Sequence, residues 1–270
     1  MFKPKNVMEI FKLLDKSNCR ECGEKTCLAF ASAVFQGRKN IEECPRLDEK
    51  VCADFFLKKE KQTLIENNQE ENLKILKNKI TRIDLAKRAE EIKAKFSGNK
   101  LALKIFGKEF SVDQHGQLYS DIHVNLWVAI PFFYYILYGK GMPVSGEWVS
   151  FRELKDGPPR HNFFQKRCEE PMKQLADRYP DLFNYIVRIF GGKKVEQQYQ
   201  SDISVVLYPF PRVPIMLCYW KAEDGLDSSL NIFFDKTADK NLNSEVIFTM
   251  GSGITQMFEK IIRKHGFQDI

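Results

Sequence analysis

The apolar positions divide the chain into a short helical opening, a long polar stretch with a helical stripe, and a mixed C-terminal part. In residues 7–15, Met8, Phe11 and Leu14, or alternatively Ile10 and Leu14, share one helical face. Residues 28–37 form a second short helix carrying Phe30 and Val34, with Gly37 able to take the left-handed conformation that ends it. A third helix covers 48–57. Between Arg46 and Ser97 there is neither Gly nor Pro, which predicts long helix. Leu73, Leu76, Ile80 and Ile83 make its stripe, followed by Ala89, Ile92 and Phe96. Asn67-Asn68 is the expected break, and 57–98 reads as a connector helix.

Beyond residue 100 the period changes. Alternation on both sides of Gly107-Lys108 predicts a β-hairpin over 101–113, with a short strand at Leu118-Tyr119. Residues 124–138 read as a fully buried helix with Pro131 inside it. Helices are predicted over 162–179 and 181–190, separated by Pro180 and stopped by Gly191-Gly192. Strands follow at 203–208 and 215–220 around a proline-rich turn, with a third at 230–234. Ser244 caps a last helix to about 265, weakened at Gly251 and Gly253. The fold class is therefore α+β: a small helical domain at 1–56, the connector at 57–98, and an α+β domain with an antiparallel sheet at 99–270.

The chemistry sits near the start. Cys19, Cys22, Cys27 and Cys44 follow the spacing C-x2-C-x4-C-x16-C-P, closed by Pro45. Four thiolates this close in sequence can converge on one soft metal centre, either an iron–sulfur cluster or a Zn(Cys)4 site. A zinc knob or disulfides are the bland alternatives. Iron–sulfur is favoured because three Cys share one loop and the fourth is remote and followed by Pro. Cys27 opens a helix, where free amides and the dipole stabilise negative sulfur. Gly23 lets the backbone approach closely. Cys52 is a tempting fifth ligand, but it reads better as a small buried hydrophobe.

These residues resemble a known module. Cys19, Cys22, Gly23, Cys27, Phe30, Ala31, Gly37, Cys44 and Pro45 are similar to the 4Fe–4S domain of the corrinoid iron–sulfur protein large subunit, and to a module in the B subunit of Rnf-type electron-transport complexes. The resemblance covers about the first fifth of the chain. It implies one low-potential 4Fe–4S cluster held by Cys19, Cys22, Cys27 and Cys44. It also implies a redox partner protein, with a corrinoid protein as one destination. Residues 70–265 resemble a microbial domain family of unknown function that often accompanies such modules. The residues carrying that likeness include Gly107, Phe110, Gly146, Trp148, Phe151, Gly191-Gly192, Pro209, Pro211, Pro214, Trp220 and Phe234-Asp235. It assigns no chemistry.

Composition changes this picture only at the margins. With 43% hydrophobic residues the chain can bury a core. The net charge of +6 is uneven: 1–56 carry 10 basic and 9 acidic side chains, 57–100 carry 12 and 7, and 101–270 carry 20 and 20. The excess lies on the connector, without the clustered aromatics or motif of a nucleic-acid reader. It reads as a solvated helix face or a surface for an acidic partner. The opening residues show no secretory leader, and the strongest apolar run, 126–138, is too short to span a bilayer. Free thiols and an oxygen-sensitive cluster fit a reducing, anaerobic cytoplasm.

A second site is weaker. Asp202, Glu223, Asp224 and Asp235 flank consecutive strands and are candidates for a cation site or acid–base pair, against ordinary surface carboxylates. Tyr208, Phe210, Arg212 and Trp220 are candidates for a ligand wall. His115, His123 and His161 lack a zinc motif, and Cys168 and Cys218 read as inert. The preferred reading is a non-catalytic electron-transfer protein. The alternatives are an assembly or scaffold protein, and a reductive enzyme with its site in the C-terminal domain.

Overall fold

A computed structural model describes the backbone of residues 4, 6–121, 124–179, 181–223 and 225–265; side chains at 49, 53–54, 56–67 and 263–265 are outside that description. His123, Pro180 and Asp224, named above, lie outside the described residues. The chain divides into two compact units, 1–71 and 72–270.

In the first unit, helix α1 is Val7–Phe11, capped by Asn6, whose side chain accepts from the Glu9 amide. It is shorter than expected, because an Asp15–Ser17 turn and left-handed Lys16 take over. Of the two candidate faces, Ile10 and Leu14 are buried while Met8 is exposed. Helix α2 is Cys27–Phe35. Gly37 at φ +74 ends it, with the Arg38 amide bonded to Ala33 O and the Gly37 amide to Val34 O. Ile10, Leu14, Phe30, Ala31 and Ile41 form the core of this unit together with Cys27 and Cys44.

Helix α3 runs Glu49–Ile80 without the break expected at Asn67-Asn68. The break comes later, at Thr81–Asp84, because Asp84 accepts from the Ala86 and Lys87 amides and caps a separate helix α4, Leu85–Ile92. Residues 57–98 are thus not one connector helix. The segment ends in strand β1, Lys95–Ser97.

In the second unit, β1 joins β2 (Lys100–Ile105), β3 (Lys108–Asp113) and β4 (Leu118–Ser120) in an antiparallel sheet of that order. The β2–β3 turn is Phe106-Gly107, both at positive φ, as a two-residue hairpin turn demands. Helix α5, Leu126–Tyr138, follows with Pro131 inside it and six of its apolar side chains buried to 5% exposure or less. Its C-terminal carbonyls are gripped by two arginines: Arg88 of α4 donates to Ile136 O and Gly139 O, and Arg212 donates to Gly141 O. Positive charge there complements the helix dipole.

Strand β5 (Trp148–Ser150) leads to helix α6 (His161–Phe164), a π-helical turn over Gln165–Glu169, helix α7 (Glu170–Arg178) and helix α8 (Leu182–Phe190). Then come β6 (Lys193–Lys194), β7 (Ile203–Phe210), β8 (Val213–Trp220) and β9 (Ser229–Asp235). The second sheet has the order β5-β9-β8-β7-β6, antiparallel throughout. Short helix α9 (Ala238–Asn241) and long helix α10 (Ser244–His265) close the chain. Phe151 and Phe164 stack at 4.3 Å in the core, with Phe234 edge-on to both.

Helix α10 runs unbroken through Gly251 and Gly253. They let it pack: a Cβ at Gly253 would overlap the Trp127 ring, and one at Gly251 would meet Phe164 at 3.0 Å and the Cys168 sulfur at 3.4 Å.

Candidate metal centre

The four cysteines of the spacing motif lie in one small unit on three local structures. Cys19 and Cys22 sit on the loop between α1 and α2 and are half-buried. Cys27 is the first residue of α2, after its cap Thr26, whose hydroxyl accepts from the Ala29 amide. Cys44 ends a 3-10 turn over Ile41–Glu43. Cys27 and Cys44 are buried at 6% and 7% exposure.

The loop backbone is bent in an unusual way. Lys16, Asn18, Arg20 and Gly23 all have positive φ, at 64°, 54°, 66° and 81°. A non-glycine residue there costs on the order of 1–2 kcal/mol. Three within five residues mean that the surrounding structure imposes the shape. Left-handed residues alternating with right-handed ones are the backbone pattern of anion-binding nests, a feature shared by phosphate and iron–sulfur sites. One amide of this loop meets a sulfur: the Asn18 N–H donates to the Cys27 sulfur at 3.3 Å. The Cys27 N–H returns a bond to Asn18 Oδ1 at 2.8 Å.

Two further contacts tie the loop to the segment that carries Cys44. Lys39 Nζ donates to the Cys22 carbonyl at 2.5 Å and pairs with Glu43 at 3.5 Å. Arg46 forms an ion pair with Glu21 at 2.6 Å, using both Nε and a terminal nitrogen. The Glu21–Arg46 pair is half-exposed, so its stability contribution is small; its use is geometric.

Charge is shared among these groups. Burial pushes the Cys44 thiol up; the Arg46 backbone amide opposes this, while Cys22, Asp15 and Cys27 push the same way as burial. The Ser17 amide and hydroxyl hold the Asp15 carboxyl below its usual range. Asp15 Oδ1 lies 3.9 Å from the Cys27 sulfur. The Arg46 guanidinium is raised chiefly by Glu21, with Cys19 contributing. This unit carries four soft sulfur donors, one backbone amide bonded to the Cys27 sulfur and an apolar cluster against Cys27 and Cys44, a donor set that suits a soft anionic metal group. Among the described residues, no three His, Cys, Asp or Glu side chains gather at the spacing a single metal ion requires.

Cys52, on α3, packs against the same apolar cluster, and burial followed by the charge of Glu42 raises its pKa. Among the described residues, the carboxylates expected at strand ends, Asp202, Glu223 and Asp235, form no metal-holding group. Asp202 is exposed and accepts from the Lys221 amide at 2.8 Å. Glu223 is exposed in a bridge to Leu226. Asp235 is fully buried at the far end of the sheet from Asp202, six strand positions or about 20 Å away by register. It accepts from the amides of Ser145, Gly146 and Thr237 and from the hydroxyls of Ser145 and Thr237. Burial alone would raise its pKa; these bonds, led by Thr237, bring it below the ordinary value. Asp235 is a structural latch.

The expected ligand wall is also absent as such: Phe210 is buried against Tyr135, Arg212 holds Gly141 O, and Trp220 packs in a small cluster with Trp148 and Phe233. Cys168 and Cys218 are fully buried, and burial raises both thiols. Sequence reasoning missed Glu169, a buried carboxyl in the π turn that accepts from the Ile232 amide at 3.0 Å. Burial pushes its pKa up to about 7.

Comparison with known proteins adds to this geometry. Residues 84–257 match the family described as "Domain of unknown function (DUF3786)". The chain belongs to that family. Residues 14–46, which hold all four cysteines, match the family described as "Putative Fe-S cluster". The first part is also similar to the acetyl-CoA decarbonylase/synthase complex subunit gamma of Methanocaldococcus jannaschii, 42% identical over 48 residues, covering 18% of this chain and 10% of that protein. It is similar to the corrinoid/iron-sulfur protein large subunit of Moorella thermoacetica, 48% identical over 42 residues, covering 16% and 9%. The chain thus spans about a tenth of the length of these curated relatives. No solved structure matches it. No described helix is long and apolar enough to cross a membrane.

Proposed function

We propose that this chain is an electron-transfer protein in which Cys19, Cys22, Cys27 and Cys44 hold one 4Fe–4S cluster. When bound, such a group accepts and releases one electron at a time. The chain's own residues supply the rest. The Asn18 amide offers a hydrogen bond to the Cys27 sulfur, which stabilises negative charge there. Ile10, Leu14, Phe30 and Ile41 exclude water from the Cys27 and Cys44 side. Lys39 and Arg46 hold the Cys19–Cys22 loop in register with Cys44.

The observation that carries this reading is the Asn18 amide bonded to the Cys27 sulfur, on a loop that holds Cys19 and Cys22 and has left-handed residues at 16, 18, 20 and 23. The family match over residues 14–46 supports it independently. The names of the two relatives, a complex subunit and a corrinoid/iron-sulfur protein, favour a partner protein, with a corrinoid centre as one electron acceptor; free thiols beside such a cluster suit a reducing, anaerobic cytoplasm. We assign the 1–56 segment to this role and the α+β domain to docking.

The test is anaerobic purification with iron and sulfide analysis, EPR of the reduced protein, and a potential by spectroelectrochemistry. Four irons and four sulfides per chain with a low potential support the proposal. Colourless protein, or one zinc per chain, overturns it. Transfer of the intact cluster to an apo-acceptor would move the protein to an assembly role.

A further inference from the structure

The four sulfurs are not equally accessible. Cys27 and Cys44 are buried in the apolar cluster of the first unit, while Cys19 and Cys22 lie half-buried on the loop. An electron leaving a centre held by all four has its shortest protein path through the loop side. This edge is also marked by charge. Residues 12–25 carry the cations Lys12, Lys16, Arg20 and Lys25, all exposed. No ion pair among the described residues takes up any of them.

The acids of the same stretch are mostly spoken for: Glu21 is paired with Arg46, and Asp15 is bonded by Ser17. Glu24, half-buried, is the remaining one. The module's acids concentrate elsewhere in its sequence, with five between 42 and 54 against two cations. Leu13 and Leu28, exposed at 37% and 46%, add apolar area beside the loop residues in sequence.

We propose that the Cys19–Cys22 edge is the electron-exit face and that it docks an acidic surface of a partner protein. This rests on the iron–sulfur reading above. The cations flank the half-buried Cys19 and Cys22 in sequence, on a loop whose shape the fold imposes and outside any ion pair, Lys16 lying over the Phe11 ring at 5.8 Å. Complementary charge raises encounter rates without demanding a large interface, as suits a brief redox contact.

The experiment uses two outer-sphere oxidants on the full-length, reduced protein: anionic hexacyanoferrate(III) and cationic hexaamminecobalt(III). Each takes one electron, the cluster being oxidised as the reagent's metal is reduced from the trivalent to the divalent state. Oxidation by the anion is expected to slow about tenfold from low to high salt, and oxidation by the cation to quicken. Lys16→Glu, Arg20→Glu and Lys25→Glu together should reverse both salt slopes. Lys104→Glu with Lys108→Glu, on the β2–β3 hairpin, should leave them unchanged.

A second readout needs no cluster. In the apo-protein, iodoacetate should modify Cys19 and Cys22 several-fold faster than Cys27 and Cys44, with a salt-sensitive advantage over neutral iodoacetamide that the triple variant loses. Equal salt slopes for the two oxidants, slopes unmoved by charge reversal, or equal modification of all four thiols would overturn the exit-face inference while the cluster reading stands. A protein that binds no cluster overturns both.

Discussion

Asn18 and Cys27 hold each other twice: the Asn18 amide donates to the Cys27 sulfur at 3.3 Å, and the Cys27 amide donates to Asn18 Oδ1 at 2.8 Å. Asn18 also has φ 54°, a conformation Asn tolerates better than most residues. One residue therefore supplies both the bend and the bond.

Two substitutions separate these roles. Asn18→Gly keeps the bend and loses the side-chain bond, costing about 1 kcal/mol. Asn18→Ala loses the bond and adds left-handed strain, costing about 1–2 kcal/mol more. Amide exchange at Cys27 should accelerate in both, and the denaturation midpoint of the apo-protein should fall further for Ala than for Gly. Equal midpoints would mean that the left-handed turn at 18 is not enforced.

Removing a ligand should be distinguishable from removing a neighbour. Cys19→Ser, Cys22→Ser, Cys27→Ser or Cys44→Ser should each cut iron and sulfide per chain sharply, because an incomplete thiolate set leaves a cluster labile. Cys52→Ala should retain full content and lose only about 1 kcal/mol of packing, since Cys52 touches the apolar cluster rather than the nest. Cluster loss in Cys52→Ala would make it a ligand and displace Cys44 or Cys19 from the set.

Some of this was readable from the residues and some was not. The hairpin over 101–113 and the apolar helix around Pro131 are local signals that appear where expected, but the turn is Phe106-Gly107 rather than Gly107-Lys108, and α10 is capped by Asn243, which accepts from the Val246 amide, with Ser244 its first residue. The long Gly- and Pro-free stretch hid its own break. Asp84 capping the Ala86 amide outweighs the weak propensity signal of Asn67-Asn68. Strand β5 pairs with β9 more than eighty positions away, and nothing local in Trp148–Ser150 announces it. Asp235 looked like a site because a carboxylate at a strand end is ambiguous until its donors are known; they come from Ser145 and Gly146, ninety residues away. In the candidate site the cysteine spacing was legible, whereas the left-handed Lys16 and Arg20 carry no compositional signal at all.

Glu169 should give the second unit a measurable pH dependence. Its carboxyl is 7% exposed, and its pKa is raised from 4.5 to about 7 by burial, against the Ile232 amide that favours the anion. The folded state therefore holds a proton that the unfolded state releases between these values. Stability from this group is intact below pH 4.5, falls as pH rises through 7, and stays lower above it. The span corresponds to about 3 kcal/mol as an upper bound. Glu169→Gln keeps an oxygen for the Ile232 amide and cannot ionise. Its stability relative to the parent should rise between pH 5 and pH 8, measured by urea denaturation at each pH. A constant difference across that range would show that Glu169 ionises freely in the fold.

Gly253 tests how α10 meets α5. In an exposed helix, Gly→Ala stabilises by about 1 kcal/mol through backbone entropy. At Gly253 the added methyl has no room, since it would overlap the Trp127 ring of α5. Trp127 would have to leave a half-buried position. Overpacking of this kind costs about 1–3 kcal/mol and outweighs the entropic gain. Gly253→Ala should therefore lower the thermal midpoint. Gly251→Ala should lower it less, because its methyl would meet only the edge of Phe164 at 3.0 Å and the Cys168 sulfur at 3.4 Å. Ser252→Ala, between them on the same helix, should be neutral or slightly stabilising, because Ala is the better helix former. The ordering 253 below 251 below 252 is the diagnostic. A rise in midpoint for Gly253→Ala would mean that Trp127 does not pack on this helix, and the α5–α10 contact would need to be redrawn.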